Sequence, residues 1–307
     1  MGQKTKPTKS LERNGELLSM CLPAIIKIFI FSYLPMVGII IAFKNYMPRQ
    51  GIFGSAWVGL KNFEFFFRSN TAWRVLRNTV AMNMVGLVLS TVVHVAVALL
   101  LYEVIRRSVL KTYQTVMFIP YFFSWVLVGL MMTVFFSPTN GMLTKAAAIL
   151  GNPNVNFYAT PGYWLAILPV ISVWKGLGFG SLVYYSALMG IDREIFEAAE
   201  IDGANKWQRT WAISIPYIMP MITVMTILSL GNIIRADFGL FYFVPQRQSQ
   251  LFPVTDVIDT FVFRALAENG DFGMSSAVGL FQSVVGFLMV IAANMIAKSA
   301  DEDYSLF

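Results

Sequence analysis

Residues 190–220 read GIDREIFEAAEIDGANKWQRTWAISIPYIMP. Asp192 is placed to cap a helix, and Glu194 falls in its first turn, beside the positive helix end. Ile191, Ile195, Ala198 or Ala199, and Ile201 recur at helical spacing, giving an apolar face opposite Glu197 and Glu200. Gly203 ends that helix, as glycine does just past a C-cap. A second short helix is expected over Asn205–Ser214 with Trp207, Trp211 and Ile213. Pro216 then opens the next helix, where its missing N–H does no harm. The stretch reads as two short amphipathic helices bent at a glycine. An ordinary connection takes about 2–8 residues; a knobbed loop of this length suits docking into a cleft on another protein.

The flanks on both sides are apolar, and the composition says why. Of 307 residues, 56% are hydrophobic and 13% charged, against ~25% charged in a soluble domain. So few charges could not cover the apolar surface of a water-soluble globule, and 26 Phe exclude disorder. The single Cys21 excludes a disulfide framework. The fold class is therefore all-α: a polytopic membrane protein with six spans near the ~20 residues a bilayer requires. They are Met20–Phe43, Asn78–Leu101, Thr115–Phe136, Tyr163–Met189, Pro216–Asp237 and Gly273–Ala297. The first is too long for a signal-peptide core and lacks a small-x-small site, so it reads as a retained helix. A pI near 9.4 would suggest nucleic acid in a soluble chain; here it reflects basic loops beside a bilayer, and no nucleic-acid partner is expected.

Orientation follows from Lys and Arg. With the N-terminus inside, the inner segments hold eleven and the outer segments nine, six of them in the first outer loop, 44–77. Without that loop the ratio is eleven to three. The expected organisation is a cytoplasmic tail (1–19), a first span (20–43), an extracytoplasmic loop (44–77), a five-helix core (78–298) holding the 190–216 loop, and a cytoplasmic tail (299–307). The 44–77 loop reads as semi-ordered, with Phe63, Phe65, Phe66 and Phe67 as interface aromatics or a docking surface. The last outer loop carries a helical-looking Val254–Leu266.

Glu197-Ala198-Ala199, then Asp202-Gly203-Ala204, then Ile213, Ile215-Pro216 and Pro220 resemble the EAA loop of binding-protein-dependent ABC importer permeases. Only Ile215 departs, standing for Leu. The resemblance covers the whole chain. Trp57–Phe63, Asn78-Thr79 and Asp256–Thr260 look like the carbohydrate-uptake branch, closest to permeases for oligosaccharides or polysaccharide fragments. It implies a half-channel in a bacterial plasma membrane, with Glu197, Ala198, Ala199 and Gly203 as ATPase-coupling positions and Asp202 capping or pairing locally. Its implied partners are a second homologous permease, two ABC ATPase subunits and an extracytoplasmic solute-binding protein. No cofactor is implied in this chain; ATP and Mg are used by the partner ATPase. An interfacial amphipathic hairpin is the plainer alternative for the loop.

The same resemblance places a substrate path at Ser172, Lys175, Gly176 and Phe179 in the fourth span, completed by Ser229, Asn232, Ile233 and Ala236 in the fifth. Arg235 and Asp237 lie close by. Ionisable groups at depth are costly, ~2.5–3.5 kcal/mol at a helix centre, and so mark pathways. Two cations, Lys175 and Arg235, favour an anionic sugar such as a uronate oligomer. Each position has a structural alternative. Gly176 and Gly180 also have a helix-packing spacing. Lys175 can pair with a carbonyl at a helix end, Arg235 and Lys27 can snorkel, and Phe179 can be core. Asn83, His94, Gln282 and Asn294 read as interhelical hydrogen-bond partners.

No G-x-x-x-x-G-K-[ST] occurs, so the chain is expected to have no ATPase site of its own. One Cys and one His cannot assemble a metal cluster, and no catalytic residues are expected. A permease for another small solute, or a secondary transporter or channel, are the alternative functions; the latter has no use for such a loop.

Overall fold

The computed structural model describes residues 7–300. Residues 1–6 and 301–307 of the two expected tails, and the side chains of Lys9 and Arg13, lie outside the described residues. The chain forms two compact units: residues up to 66 with 265–280, and residues 67–264 with those from 281 onward.

In the first unit, α1 (Pro7–Ile28) passes through a π turn (Phe29–Tyr33) into a 3-10 run (Leu34–Phe43). Pro35 cannot donate to the helix ladder and crowds the carbonyl four residues earlier. The wider π turn just before it removes that clash. Strands β1 (Lys44–Asn45) and β2 (Ala56–Trp57) pair antiparallel around the short α2 (Gly51–Gly54), and α3 (Lys61–Arg68) follows. Residues 44–68 of the expected semi-ordered loop thus carry regular secondary structure. Asn62 donates to the carbonyls of Ala42 (2.9 Å) and Lys44 (3.0 Å), the Lys44 ammonium donates to those of Ile52 and Phe53, and Trp57 stacks on Phe43.

The second unit holds α4 (Asn70–Tyr102), α5 (Arg107–Phe118), α6 (Trp125–Phe136), α7 (Met142–Ile149), α8 (Trp164–Leu188), α9 (Arg193–Ile201), α10 (Lys206–Arg209) and α11 (Ile215–Gly231). The chain continues as α12 (Phe238–Phe243), α13 (Phe252–Thr255), α14 (Ile258–Asn269) and α15 (Phe272–Ala300). Among the described residues five helices are long and apolar enough to cross a membrane, and six when the bent pair Arg107–Phe122 and Trp125–Phe136 counts as one.

Three spans differ from their expected form. The second starts at Asn70, eight residues early, because the Ser69 hydroxyl accepts from the Thr71 N–H and caps it there. The third is broken by 97°: Pro120 closes its first half in a 3-10 turn and Ser124 caps the second. The fifth ends at Gly231, and 232–237 run unwound to Asp237, whose carboxylate accepts from the N–H groups of Gly239 and Leu240 to start α12. The expected Val254–Leu266 helix is likewise split at Asp256 into α13 and α14.

Lipid is as apolar as a helix face, so packing rather than burial holds membrane helices together. Glycine supplies the closeness here. A Cβ on Gly178 would sit 2.6 Å from the Met117 carbonyl oxygen, and one on Gly180 would overlap the His94 imidazole. Two cores lie along α8. One gathers Val128, Phe136, Trp164, Leu168, Leu240 and Val257; the other gathers Ala98, Tyr184, Leu188, Ile191 and Ile218. Asn78-Thr79 and the Asp256 stretch prove to be partners. Asn78 donates to the carbonyls of Pro253 and Asp256 (both 3.0 Å), and the Ile258 N–H donates to the Thr79 hydroxyl (2.9 Å). The buried Asp256 carboxylate accepts from Arg264 (2.8 Å to each oxygen) and Thr260 (3.0 Å).

Candidate functional site

A cavity of about 290 Å³ opens between α4, α8, the end of α11 and α12. Of the residues expected on a substrate path, Ser172, Ser229, Asn232, Ile233 and Arg235 line it, together with Asp237. The α4 wall, Asn83, Gly86, Leu87 and Ser90, was not foreseen beyond Asn83's bonding role. Its spacing of three, four and seven residues is one helix face, and that polar, small-residue stripe is the signal that could have found it. Pro169 and Phe241 add apolar surface.

The unwound 232–237 segment shapes the cavity. Irregular backbone in a membrane protein needs partners for its carbonyls, and these come from two helices. Asn83 donates to the carbonyls of Ile233 (2.8 Å) and Arg235 (2.9 Å), and Gln282 on α15 donates to that of Ile234 (2.8 Å). The Ala236 N–H donates to the Asp259 carboxylate (2.7 Å). Burial raises the Asp259 carboxyl above its ordinary value, and the bonds from Ala236 and Gln282 and the charge of Arg235 oppose that rise. Arg235 donates to the Ser283 hydroxyl (2.7 Å), and the Trp125 indole donates to Asp237 (2.9 Å). The bonding roles expected of Asn83 and Gln282 are as predicted, though their targets are the broken backbone.

Four expected path residues lie away from the cavity. The Lys175 ammonium donates to the Tyr121 carbonyl (3.0 Å) and sits over the Tyr121 and Trp125 rings, 5.4 and 5.0 Å from their centroids. It braces the break in the third span, the alternative of a carbonyl at a helix end. Phe179 stacks on Tyr121 at 5.7 Å and is exposed. A Cβ added to Gly176 would lie 3.9 Å from the His94 ring, which Gly180 also faces, in keeping with the helix-packing alternative. Ala236 is buried and contributes its N–H to Asp259 rather than a wall.

The turn after α8 has its own logic. Asp192 occupies the N-cap of α9 in extended geometry, with no side-chain bond across the cap. At the other end Asp202 is the C-cap and Gly203 has φ +81°. The Gly203 N–H donates to the Glu200 carbonyl (3.0 Å) and the Ala204 N–H to that of Ala199 (2.9 Å). That bond pair is a Schellman motif. Asn205 and Gln208 then close a reciprocal capping box, 2.9 and 2.8 Å. The second helix is not separate as expected. After α10 a π turn (Thr210–Ser214) leads straight into α11, because Pro216 needs the wider turn before it. Glu200 pairs with Arg209, and Lys206 with Glu103 (2.9 Å).

The expected apolar face is only partly buried. Ile191 is in the core and Phe196 packs on it, meeting the Tyr102 ring at 5.8 Å. Ile195, Ile201, Trp207 and Trp211 are exposed, as are Glu197 and Ala198, while Ala199 is half-buried. The turn thus presents an unusual density of apolar surface beside a line of carboxylates.

Residues 95–302 match the family described as binding-protein-dependent transport system inner membrane component. This chain belongs to that family. It is a transport permease of the ABC importer class, built as an all-α polytopic membrane protein. It is 34% identical to the protein LplB of Bacillus subtilis over 96% of its own length and 92% of LplB. It is 33% identical to the polygalacturonan/rhamnogalacturonan transport system permease protein YteP of the same organism, over 94% of this chain and 89% of YteP. Its fold matches a chain of the bacterial alginate ABC transporter in complex with an alginate pentasaccharide-bound periplasmic protein. The TM-score is 0.85 at 30% identity, covering 96% of this chain and 98% of that one.

Proposed function

We propose that this permease carries an oligosaccharide or polysaccharide fragment handed over by an extracytoplasmic solute-binding protein, and that the α8–α11 turn couples it to an ATPase. The cavity carries this reading. A concave site with Ser172, Ser229, Asn232 and Asn83 beside Phe241 offers hydroxyls both hydrogen-bond partners and a ring face. Arg235 adds one cation, and the acidic polysaccharides named for YteP and the alginate transporter favour a uronate-containing fragment. Lys175 has no part in this, being occupied at Tyr121.

Residues 1–19 and 299–307 are cytoplasmic tails, 20–43 the first span, 44–77 an extracytoplasmic cap, and 78–298 the core. The 190–216 turn then faces the cytoplasm, where Glu197, Ala198, Ala199, Asp202 and Gly203 meet the motor. The assembly comprises this chain, a second homologous permease and two ABC ATPase subunits, which use the ATP and Mg. This chain has no ATPase site.

ATP-dependent uptake by the assembled transporter in proteoliposomes tests the reading. Arg235→Met is expected to lower uptake of uronate oligomers at least tenfold and to spare neutral ones. Equal uptake of both would remove the acidic assignment, and robust transport by this chain without ATP would refute the importer itself.

A further inference from the structure

A second polar cleft lies at the other end of α8 from the 190–216 turn, where Thr133 sits in the last turn of α6, the 156–158 segment leads into α8, and the 246–250 loop follows α12. Its volume is about 270 Å³, close to that of the Arg235 cavity. Asn156, Tyr158, Gln246, Gln248, Gln250 and Thr133 line it, all uncharged. Arg247 is turned out onto the Tyr242 ring, 5.3 Å away.

Three observations mark the cleft as built for a ligand. Gln246 and Arg247 both have positive φ, +56° and +54°. Two consecutive non-glycine residues in the left-handed region are strained, and such strain gathers at ligand clamps. Here it directs the Gln246 amide onto the Thr133 hydroxyl. Tyr158 is 8% exposed, and its buried hydroxyl has no hydrogen-bond partner among the described residues; it faces Thr133 without reaching bonding geometry. The rim amides of Gln248 and Gln250 are exposed. Donors and acceptors are therefore plentiful and charge is absent.

The cleft is also in line with the first cavity. The Tyr158 ring packs at a 44° tilt against Trp164, the first residue of α8, with centroids 5.4 Å apart, and the Trp164 indole donates to the Phe157 carbonyl (2.7 Å). Ser172, in the cavity wall, lies eight residues further along the same helix, about 12 Å at 1.5 Å per residue.

We infer that this cleft is a saccharide subsite, taking an uncharged, hydroxyl-rich ring of the incoming fragment before it reaches the Arg235 cavity. The inference rests on the saccharide reading above. Amides and a phenol match sugar hydroxyls, each both donor and acceptor, and nothing in the lining would neutralise a carboxylate.

Saturation-transfer NMR on the assembled transporter in nanodiscs tests it, with maltotetraose, cellotetraose and galactotetraose as neutral probes and tetragalacturonate as the acidic one. At least one neutral probe is expected to bind. Gln248→Ala with Gln250→Ala should weaken it at least tenfold, Tyr158→Phe severalfold, and Arg235→Met less than twofold. Failure of every neutral probe to bind overturns the inference, as does equal loss in Arg235→Met. So does unchanged probe binding in the double variant with weakened binding-protein affinity, which would make the cleft a protein-docking pocket. ATP-dependent uptake by the unmutated transporter reports separately on the importer reading: absent uptake refutes that reading, whereas failed neutral-probe binding with uptake retained refutes the subsite alone.

Discussion

Replacing Gly203 by alanine isolates the geometry of the α8–α11 turn that we propose meets an ATPase. Gly203 sits at φ +81° and a Cβ there meets nothing within 4 Å. The cost is therefore conformational, not steric: an L-residue with a Cβ in the left-handed region loses about 1–2 kcal/mol. Little of it falls on a core, because α9 and α10 contain no fully buried residue and α9 meets the core through the half-buried Phe196, seven residues before Gly203. The penalty is spent on releasing the Schellman bonds from Ala204 to Ala199 and Gly203 to Glu200, which set the angle between α9 and α10. In equilibrium terms 1–2 kcal/mol is a factor of about 5–30. Titration of purified ATPase onto the permease in nanodiscs should show affinity lower by that factor, with the melting temperature of the permease unchanged. Gly203→Asn should recover most of the loss, since asparagine tolerates this conformation. Alanine binding the motor within about twofold of wild type, a difference worth only ~0.4 kcal/mol, would refute the reasoning. So would asparagine failing as badly as alanine.

Asp256→Asn leaves Arg264 facing a neutral amide in a buried site, and breaking such a pair costs about 3–5 kcal/mol; thermal unfolding in detergent should show it as lost stability. Gly180→Ala drives a methyl into the His94 ring and should cost about 1–3 kcal/mol by overpacking, with His94→Ala restoring part of the loss in the same melt. Asp259 gives a signed pH dependence. Burial raises its carboxyl, so the folded chain holds that proton more tightly than the unfolded chain does. Stability contributed there is greatest in the acid range and falls as pH rises through the raised value. The melting difference between wild type and Asp259→Asn should therefore change between neutral pH and about pH 4, and a constant difference would refute it.

The turn was the most legible part of the molecule because its signals are local. Gly203 and Asn205 act on backbone groups within five residues of themselves. The π turns were legible in principle too: each ends two residues before a proline, Pro35 and Pro216. Pro216 does not begin a helix separate from Asn205–Ser214, because the wider turn lets one helix run through it. Pro120 and Ser124 likewise announce the break in the third span, but hydropathy runs smoothly across both.

The cavity was harder for a physical reason. In water a helix shows its inner face by contrast with a polar outer one; in lipid both faces are apolar, and the contrast fades. Lys175 drew attention as a buried charge, yet a charge at depth marks a carbonyl needing a partner as readily as a path. Asn83, Gly86 and Ser90 signal more quietly and form the wall. The pairing of Asn78 and Thr79 with residues 253–258 spans 175–179 positions, and nothing in either stretch names the other.

The bonds to the unwound 232–237 segment set an order of assembly. Asn83 is synthesised before that segment and can satisfy two of its carbonyls at once. Gln282 and Ser283 belong to the last helix, and the carbonyl of Ile234 and the guanidinium of Arg235 wait for them. A nascent chain lacking α15 therefore leaves the Ile234 carbonyl and the Arg235 guanidinium without these partners, so the last helix to be made is the one that completes the broken segment.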